Sequence, residues 1–387
     1  MMSNLFAKGF RPFFLLAALL GAGFVPLWIF GYTGRVNLGG YWDPTTWHGH
    51  EMVFGFALAV IAGFLLTAVS NWTKLPTATG PALAGLCGLW VAGRVGMLFA
   101  AHLPGALVAT VDLAFVVALA FFVGRPILAA KSKRNYKFLP IFAVLFGANL
   151  VMHLGAMDIL DASTTRATLL GALDMVILII LVVSGRIVPM FTRNATGAEG
   201  LRTVAGLERL LYPLVIASII LQLIWPQHTV NGVIALLAGL AVFARQITWG
   251  GQYTVKKPIL WVLHVGHAWI GVGLILRALA IWLPQVASSA STHALTVGSI
   301  GMLIIGMMVR VSLGHTGRPI TASKPMSAAF AAVGLAALGR TFLPIILPTY
   351  YIEWVIFSGV LFALAFAAFV LEFTPVLTAP RPDGKAG

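Results

Sequence analysis

Twelve stretches of about twenty apolar residues follow one another along the chain, broken only where proline, glycine and charge cluster. That succession leaves little choice of fold. The stretches lack the polar alternation that a β-barrel lumen needs, so strands are a poor reading. In hydrocarbon, the helix is the remaining way to satisfy every backbone N–H and C=O. The spans are expected near residues 10–31, 48–70, 80–101, 104–124, 138–156, 166–190, 207–225, 229–245, 259–283, 292–314, 325–346 and 350–373. Composition agrees: 59% of the 387 residues are hydrophobic and 9% charged, and mean hydropathy is +0.95. The expectation is an all-α, polytopic membrane protein whose residues 1–387 form one integral-membrane domain in the lipid bilayer.

A formal net charge of +14 would suit a nucleic-acid binder if the cations were clustered, but they are scattered between the apolar runs. The positive-inside bias explains them instead. With the N-terminus in the cytoplasm, 20 of the 25 basic residues fall on that side, from Lys8, Arg11 and Lys74 to Arg381 and Lys385 in the tail. Both termini are therefore expected to be cytoplasmic. The basic residues before the first apolar run resemble a signal peptide, but the run continues to about Phe30 without a cleavage pattern, and it reads as a retained span. The single Cys87 excludes a disulfide framework and a thiolate metal site. No soluble domain fits between the spans. No convincing internal repeat is read along the chain, the form left open being two halves of six helices.

Topology gives each intramembrane polar residue a depth. His48, His50 and Glu51 open the second span from the outside, His102 and His153 close the third and fifth, and His293 opens the tenth. Asp112, Asp174 and Glu353 lie near the outer ends of the fourth, sixth and twelfth spans. Arg94, Arg277 and Arg340 each precede an outer helix end by six or seven residues, roughly 10 Å of depth. A smaller inner group comprises His264 and His267, three apart on one helical face, and His315.

Charge buried in lipid is costly and usually functional. Five histidines on four helices at one level point to a shared metal or cofactor site in the outer half. In a regular helix His48 and His50 stand about 200° apart, so they serve two centres or the first turn is irregular. Imidazole suits haem iron and copper alike. Glu51 orients an imidazole, carries protons or caps the helix. The three arginines fit either the propionates of a haem or the acids Asp112, Asp174 and Glu353. No phosphate loop, zincin motif or nucleophile elbow is present, so phosphoryl transfer and hydrolysis have no support.

Four blocks carry a family resemblance: "KGFRPFFLLAAL" at 8–19, "WHGHEMVFGFALAVIAGFLLTAVSNWT" at 47–73, "GRIVPMFTRN" at 185–194 and "HALTVGSIGMLIIGMMVRVSLGHTGRP" at 293–319. In order and over essentially the whole chain, they resemble the NnrS family. The resemblance implies a bacterial inner-membrane protein with twelve spans, haem of b type and copper, tied to nitric oxide and nitrosative stress. It also implies a more distant likeness to the catalytic subunits of haem-copper oxidases and nitric oxide reductases. In those subunits a helix-2 histidine and two helix-10 histidines ligate haem, and His48 or His50 and His293 stand at comparable positions. Departures are large. The sixth and seventh spans, which there supply three copper ligands, contain no histidine here. Copper would have to draw on His153, His102 and the second histidine of span two, and the set His264, His267 and His315 would hold a separate metal.

The expected activity is oxidoreductase chemistry on nitric oxide, with Glu51 as the catalytic acid or base and quinol or a soluble redox protein as electron donor. A non-catalytic nitric oxide binder or sensor is the alternative. A transporter is a third reading, which histidine clustering does not favour.

Overall fold

A computed structural model describes residues 2–38 and 40–384; Lys385, counted above with the tail, lies outside the described residues. No strand occurs among the described residues. Twelve helices are long and apolar enough to cross a membrane: α1 (Phe10–Tyr32), α2 (Pro44–Thr73), α3 (Gly80–Leu98), α4 (Gly105–Ala129), α5 (Lys133–Ala156), α6 (Ala162–Thr196), α7 (Ala205–Ile224), α8 (Thr229–Ile247), α9 (Pro258–Trp282), α10 (Ser288–His315), α11 (Lys324–Ile346) and α12 (Pro348–Thr378). The all-α, multi-pass membrane fold expected from the apolar runs is therefore observed. The largest difference is α6, which runs through Arg186, Pro189 and Arg193, residues the sequence places at or beyond a helix end. At 35 residues it reaches about 50 Å, well beyond a hydrocarbon core of about 30 Å.

The described residues group into two compact units. The first holds the chain up to Leu173 with Val311–Pro319 and the segment from Val370 onward. Its core is built on α1 and α2: the Phe10 N–H donates to Thr67 Oγ1 at 3.1 Å, and Gly63 lies flat against Phe13 and Phe14. The Arg11 guanidinium ties the tail down, donating to the carbonyls of Leu377 and Ala379 at 2.7 and 2.9 Å.

The second unit holds Asp174–Arg310 and Ile320–Phe369. Here Arg245 is the buried anchor. It donates to both oxygens of Glu208 at 2.6 and 2.7 Å and to the Leu181 carbonyl at 2.9 Å. Gly185 makes the room, since a side chain there would run into the guanidinium.

α2 and α10 are the most enclosed spans, each with 78% of its apolar window buried against 22% for α7. They share an unusual construction. Each starts as an α-helix that ends at a histidine, His50 or His293, continues as a π-helix (Glu51–Ala57 or Ala294–Gly301), and returns to α geometry. Such π segments are rare and concentrate at functional sites.

Aligned on those histidines, the two stretches repeat a glycine five residues on (Gly55, Gly298), another thirteen on (Gly63, Gly306) and a proline twenty-six on (Pro76, Pro319). The next spans carry "GLWVAGR" ending at Arg94 and "GLAALGR" ending at Arg340, and Leu103-Pro104 and Leu347-Pro348 precede or open the ones after. Packing follows the same plan: a Cβ on Gly93 would meet Asp112 Oδ1 at 3.1 Å, and one on Gly339 would meet Phe357 at 2.9 Å. The spans α2–α4 and α10–α12 thus share one spacing of histidine, glycine, proline and arginine, a three-span repeat. The repeat is hard to read in the sequence because only a few small residues survive in an otherwise interchangeable apolar background.

Candidate functional site

The first unit brings six buried polar side chains together: His50 and Glu51 from α2, Arg94 from α3, Asp112 from α4, and Asn149 and His153 from α5. The local sequence prepares the α2 end. Asp43 caps it, its Oδ1 accepting the backbone N–H groups of Thr45 and Thr46 at 2.8 and 3.2 Å, and Pro44 follows as the first helical residue. On α5, Asn149 and His153 stand one turn apart on the same face.

Asp112 is the hub. Its Oδ1 accepts from Arg94 Nη2. Its Oδ2 accepts from Asn149 Nδ2 at 2.7 Å and from His153 Nε2 at 3.1 Å, with His50 Nε2 at 3.2 Å. Because the carboxylate takes the Nε2 proton of His153, Nδ1 of that ring is an acceptor, and the Tyr41 hydroxyl donates to it at 2.9 Å. Burial pushes the Tyr41 phenol up to about 12, so it keeps the proton it donates.

His50 differs. Its Nε2 faces the Asn149 carbonyl oxygen at 2.9 Å and its Nδ1 faces Glu51 Oε1 at 3.0 Å, so both nitrogens meet oxygens. Arg94 Nη1 donates to the same Glu51 oxygen at 2.6 Å. Satisfying every contact takes one proton between His50 Nδ1 and Glu51 Oε1. The cluster then balances two carboxylates against Arg94 and that proton.

His50, Asp112 and His153 each offer one ligand atom within 4.8 Å of the others, all buried. The 3.1 and 3.2 Å contacts are close to the ligand–ligand edges of a tetrahedral ion with bonds of about 2.0–2.1 Å. Two imidazoles and a carboxylate could hold a metal and would leave a fourth position open.

The other residues singled out in the sequence lie elsewhere. His48 stacks on Trp28 at 4.1 Å, on a different side of α2 from His50, as their angular separation requires. His102 is exposed in a short turn after α3. The His315 ring packs on Phe10 at 5.5 Å and its carbonyl accepts from Arg381 at 2.8 Å, both within the first unit.

In the second unit, His293 Nδ1–H donates to the Ser289 carbonyl at 2.7 Å, which leaves Nε2 as the nitrogen with the lone pair. His264 and His267 each point a nitrogen at a hydroxyl of α6, Thr192 at 2.8 Å and Ser184 at 3.0 Å. Those hydroxyls already donate to the Val188 and Leu181 carbonyls, so they accept from the rings. His264 Nδ1 and His267 Nε2 are left as buried nitrogens without a partner. Arg277 pairs with Asp174 at 2.6 Å, as Arg94 does with Asp112. Arg340 breaks the pattern, donating to the Tyr351 hydroxyl at 3.0 Å with no carboxylate within 4.0 Å among the described residues.

Sequence reasoning missed Asn149 and noted Asp112 only as a partner for arginine. The spacing Asn149-x-x-x-His153, two polar residues one turn apart in an apolar span, was the available signal.

No curated protein sequence matches the chain significantly. The profile of the NnrS protein family matches residues 4–381, nearly the whole length. The likeness carried by the four sequence blocks is thereby established, and the chain belongs to the NnrS family.

Proposed function

We propose that this protein is an inner-membrane metalloprotein that binds nitric oxide and turns it over, with copper at His50, Asp112 and His153. The single observation behind the metal is the buried His–Asp–His constellation. Copper and nitric oxide come from the family resemblance, since two imidazoles and a carboxylate would also accept zinc.

In this reading His50 and His153 supply nitrogen ligands and Asp112 the carboxylate. Tyr41 and Glu51 fix the two rings through their Nδ1 contacts, and Arg94 bridges the carboxylates of Asp112 and Glu51. Glu51 holds a proton at its contact with His50 and is the nearest group that can pass one on.

A b-type haem fits the second unit better than the first. Its iron needs an imidazole lone pair, and His267 Nε2 is buried without a partner while His293 is fixed in the Nε2-ligating tautomer. Haem and copper together supply one-electron chemistry and affinity for diatomic ligands. Electrons come from quinol or a soluble redox protein, and the His50 end of α2 faces outward with both termini in the cytoplasm.

Binding without turnover is the second reading, favoured by the closed His50 cluster with its fully bonded rings. Metal content and reduced-minus-oxidised spectra of wild type, His50→Ala, His153→Ala and His293→Ala test both. The expected result is copper lost in the first two variants and a changed haem spectrum in the third. Consumption of nitric oxide that stops at one equivalent per protein leaves binding alone, and a metal-free wild type sinks the reading.

A further inference from the structure

The two copies of the three-span repeat have diverged at their polar centres. In the first, Arg94 lies between Glu51 and Asp112 and is neutralised by both. In the second, the residue after the histidine is Ala294, and Phe357 occupies the place against Gly339 that Asp112 takes against Gly93. Both acids are gone. The arginine remains.

Arg340 is 6% exposed, and its Nη1 is buried without any hydrogen-bond partner. Tyr351 takes one N–H of Nη2, and its ring lies 5.2 Å from the guanidinium carbon; neither supplies negative charge. Glu353, one of the three acids that the sequence offers as alternative partners for the arginines, is exposed and forms no ion pair with Arg340. An unpaired cation about two turns inside a membrane helix is among the most expensive features a fold can carry. Apolar replacements at the two acid positions would be expected to relax the arginine as well unless something else meets its charge.

We propose that Arg340 is an anion site, in which its Nη1 edge receives the carboxylate of a bound ligand. The first copy of the repeat carries its counter-anions in the chain, and the second takes one from outside. A carboxylate in an apolar surrounding has two sources, the propionate of a haem or a free small carboxylate. The haem source rests on the functional reading above; the anion site does not.

The test uses full-length protein in detergent, as wild type, Arg340→Leu and Arg340→Lys. Each is titrated with iron protoporphyrin IX, with its dimethyl ester, which lacks the two carboxylates, and with ¹³C-formate followed by NMR. If the source is haem, wild type prefers the free acid over the ester by roughly tenfold to a hundredfold, the worth of one or two charge-assisted hydrogen bonds. That preference falls to about one in Arg340→Leu and is intermediate in Arg340→Lys. If the source is a small anion, wild type shows no porphyrin preference, and formate binds to it but not to Arg340→Leu. A preference and formate binding that are unchanged in Arg340→Leu, or absent from wild type, overturn the proposal.

Thermal unfolding of the ligand-free proteins guards against a structural role. Removing an uncompensated charge leaves the midpoint equal or higher in Arg340→Leu. A midpoint several degrees lower assigns Arg340 to structure and overturns the proposal. Copper content is read in the same samples: its absence from wild type sinks the metal reading at His50 and leaves the anion result standing.

Discussion

Two isosteric substitutions in the buried cluster should differ in cost, although each only exchanges a carboxylate for an amide. Asp112 uses both oxygens, with Oδ1 accepting from Arg94 and Oδ2 from Asn149 and His153, His50 lying close by. An asparagine must turn its NH₂ toward one of these sets of donors. Facing Arg94, it loses a charge-assisted hydrogen bond of about 1.5–3 kcal/mol and weakens the others, by about 0.5–1 kcal/mol each, as the acceptor becomes neutral. The total is about 4 kcal/mol, in the range found when one partner of a buried ion pair is removed. That is a factor of about a thousand in the unfolding equilibrium.

Glu51 uses only one oxygen: Oε1 accepts from Arg94 and faces His50 Nδ1, while Oε2 is buried without a partner. A glutamine keeps its carbonyl at the first position and places its NH₂ at the second, where no donor opposes it. The unopposed NH₂ costs about 1 kcal/mol and the two contacts whose acceptor becomes neutral about 0.5–1 kcal/mol each, about 2–3 kcal/mol in all. Unfolding of metal-free protein in mixed detergent micelles, followed by tryptophan fluorescence, measures both, with the Trp42 ring centred 4.7 Å from that of His50 as a local reporter. If Glu51→Gln proves as costly as Asp112→Asn, the assignment of Asp112 as the hub is wrong.

Three further outcomes follow. His153→Ala should abolish metal binding at the cluster while His102→Ala leaves it intact, by elemental analysis of purified protein, because His102 is exposed and outside the cluster. Tyr41→Phe should weaken metal affinity about tenfold to a hundredfold by freeing the His153 ring. This phenol ionises near 12 when folded and near 10 when unfolded, so its contribution is full below about pH 10 and fades as pH rises toward 12. The wild-type-to-variant ratio should stay flat from pH 6 to 9, measured by competition with a chelator. Gly185→Ala should destabilise the second unit by about 3 kcal/mol in the same unfolding assay, since the added methyl displaces the Arg245 guanidinium from Glu208 and the Leu181 carbonyl.

Hydropathy alone made the twelve spans legible, because lipid imposes one length and one backbone solution on each. The polar centre was only partly legible. His50 and His153 stand out as rare residues in apolar runs, but depth along a helix says nothing about azimuth, and His48 and His102 share that depth without sharing the site. The arginines show the same limit. Their depth allows a ligand or a protein acid, and only the observed partners separate Arg94 and Arg277, which are paired, from Arg340, which is not. The α-to-π changes after His50 and His293 have no signature in composition, yet they set which residues beyond them face inward.

The two helices that carry these π segments also constrain where the chain can change length. Arg94 stands eighteen positions after Pro76 in the first copy of the repeat and Arg340 twenty-one after Pro319 in the second, so the connection between spans differs in length by three residues. Between the histidine and the second glycine the count is the same in both copies. Deleting one residue from the regular α-helical turn 58–62 would turn the rest of α2 by about 100° and draw it back by about 1.5 Å. Gly63 would rotate away from Phe13 and Phe14, and a larger side chain would meet them. Evolution can lengthen this protein freely in its loops, but inside these two helices it can move only in steps of whole angular settings, each of which demands a new neighbouring surface.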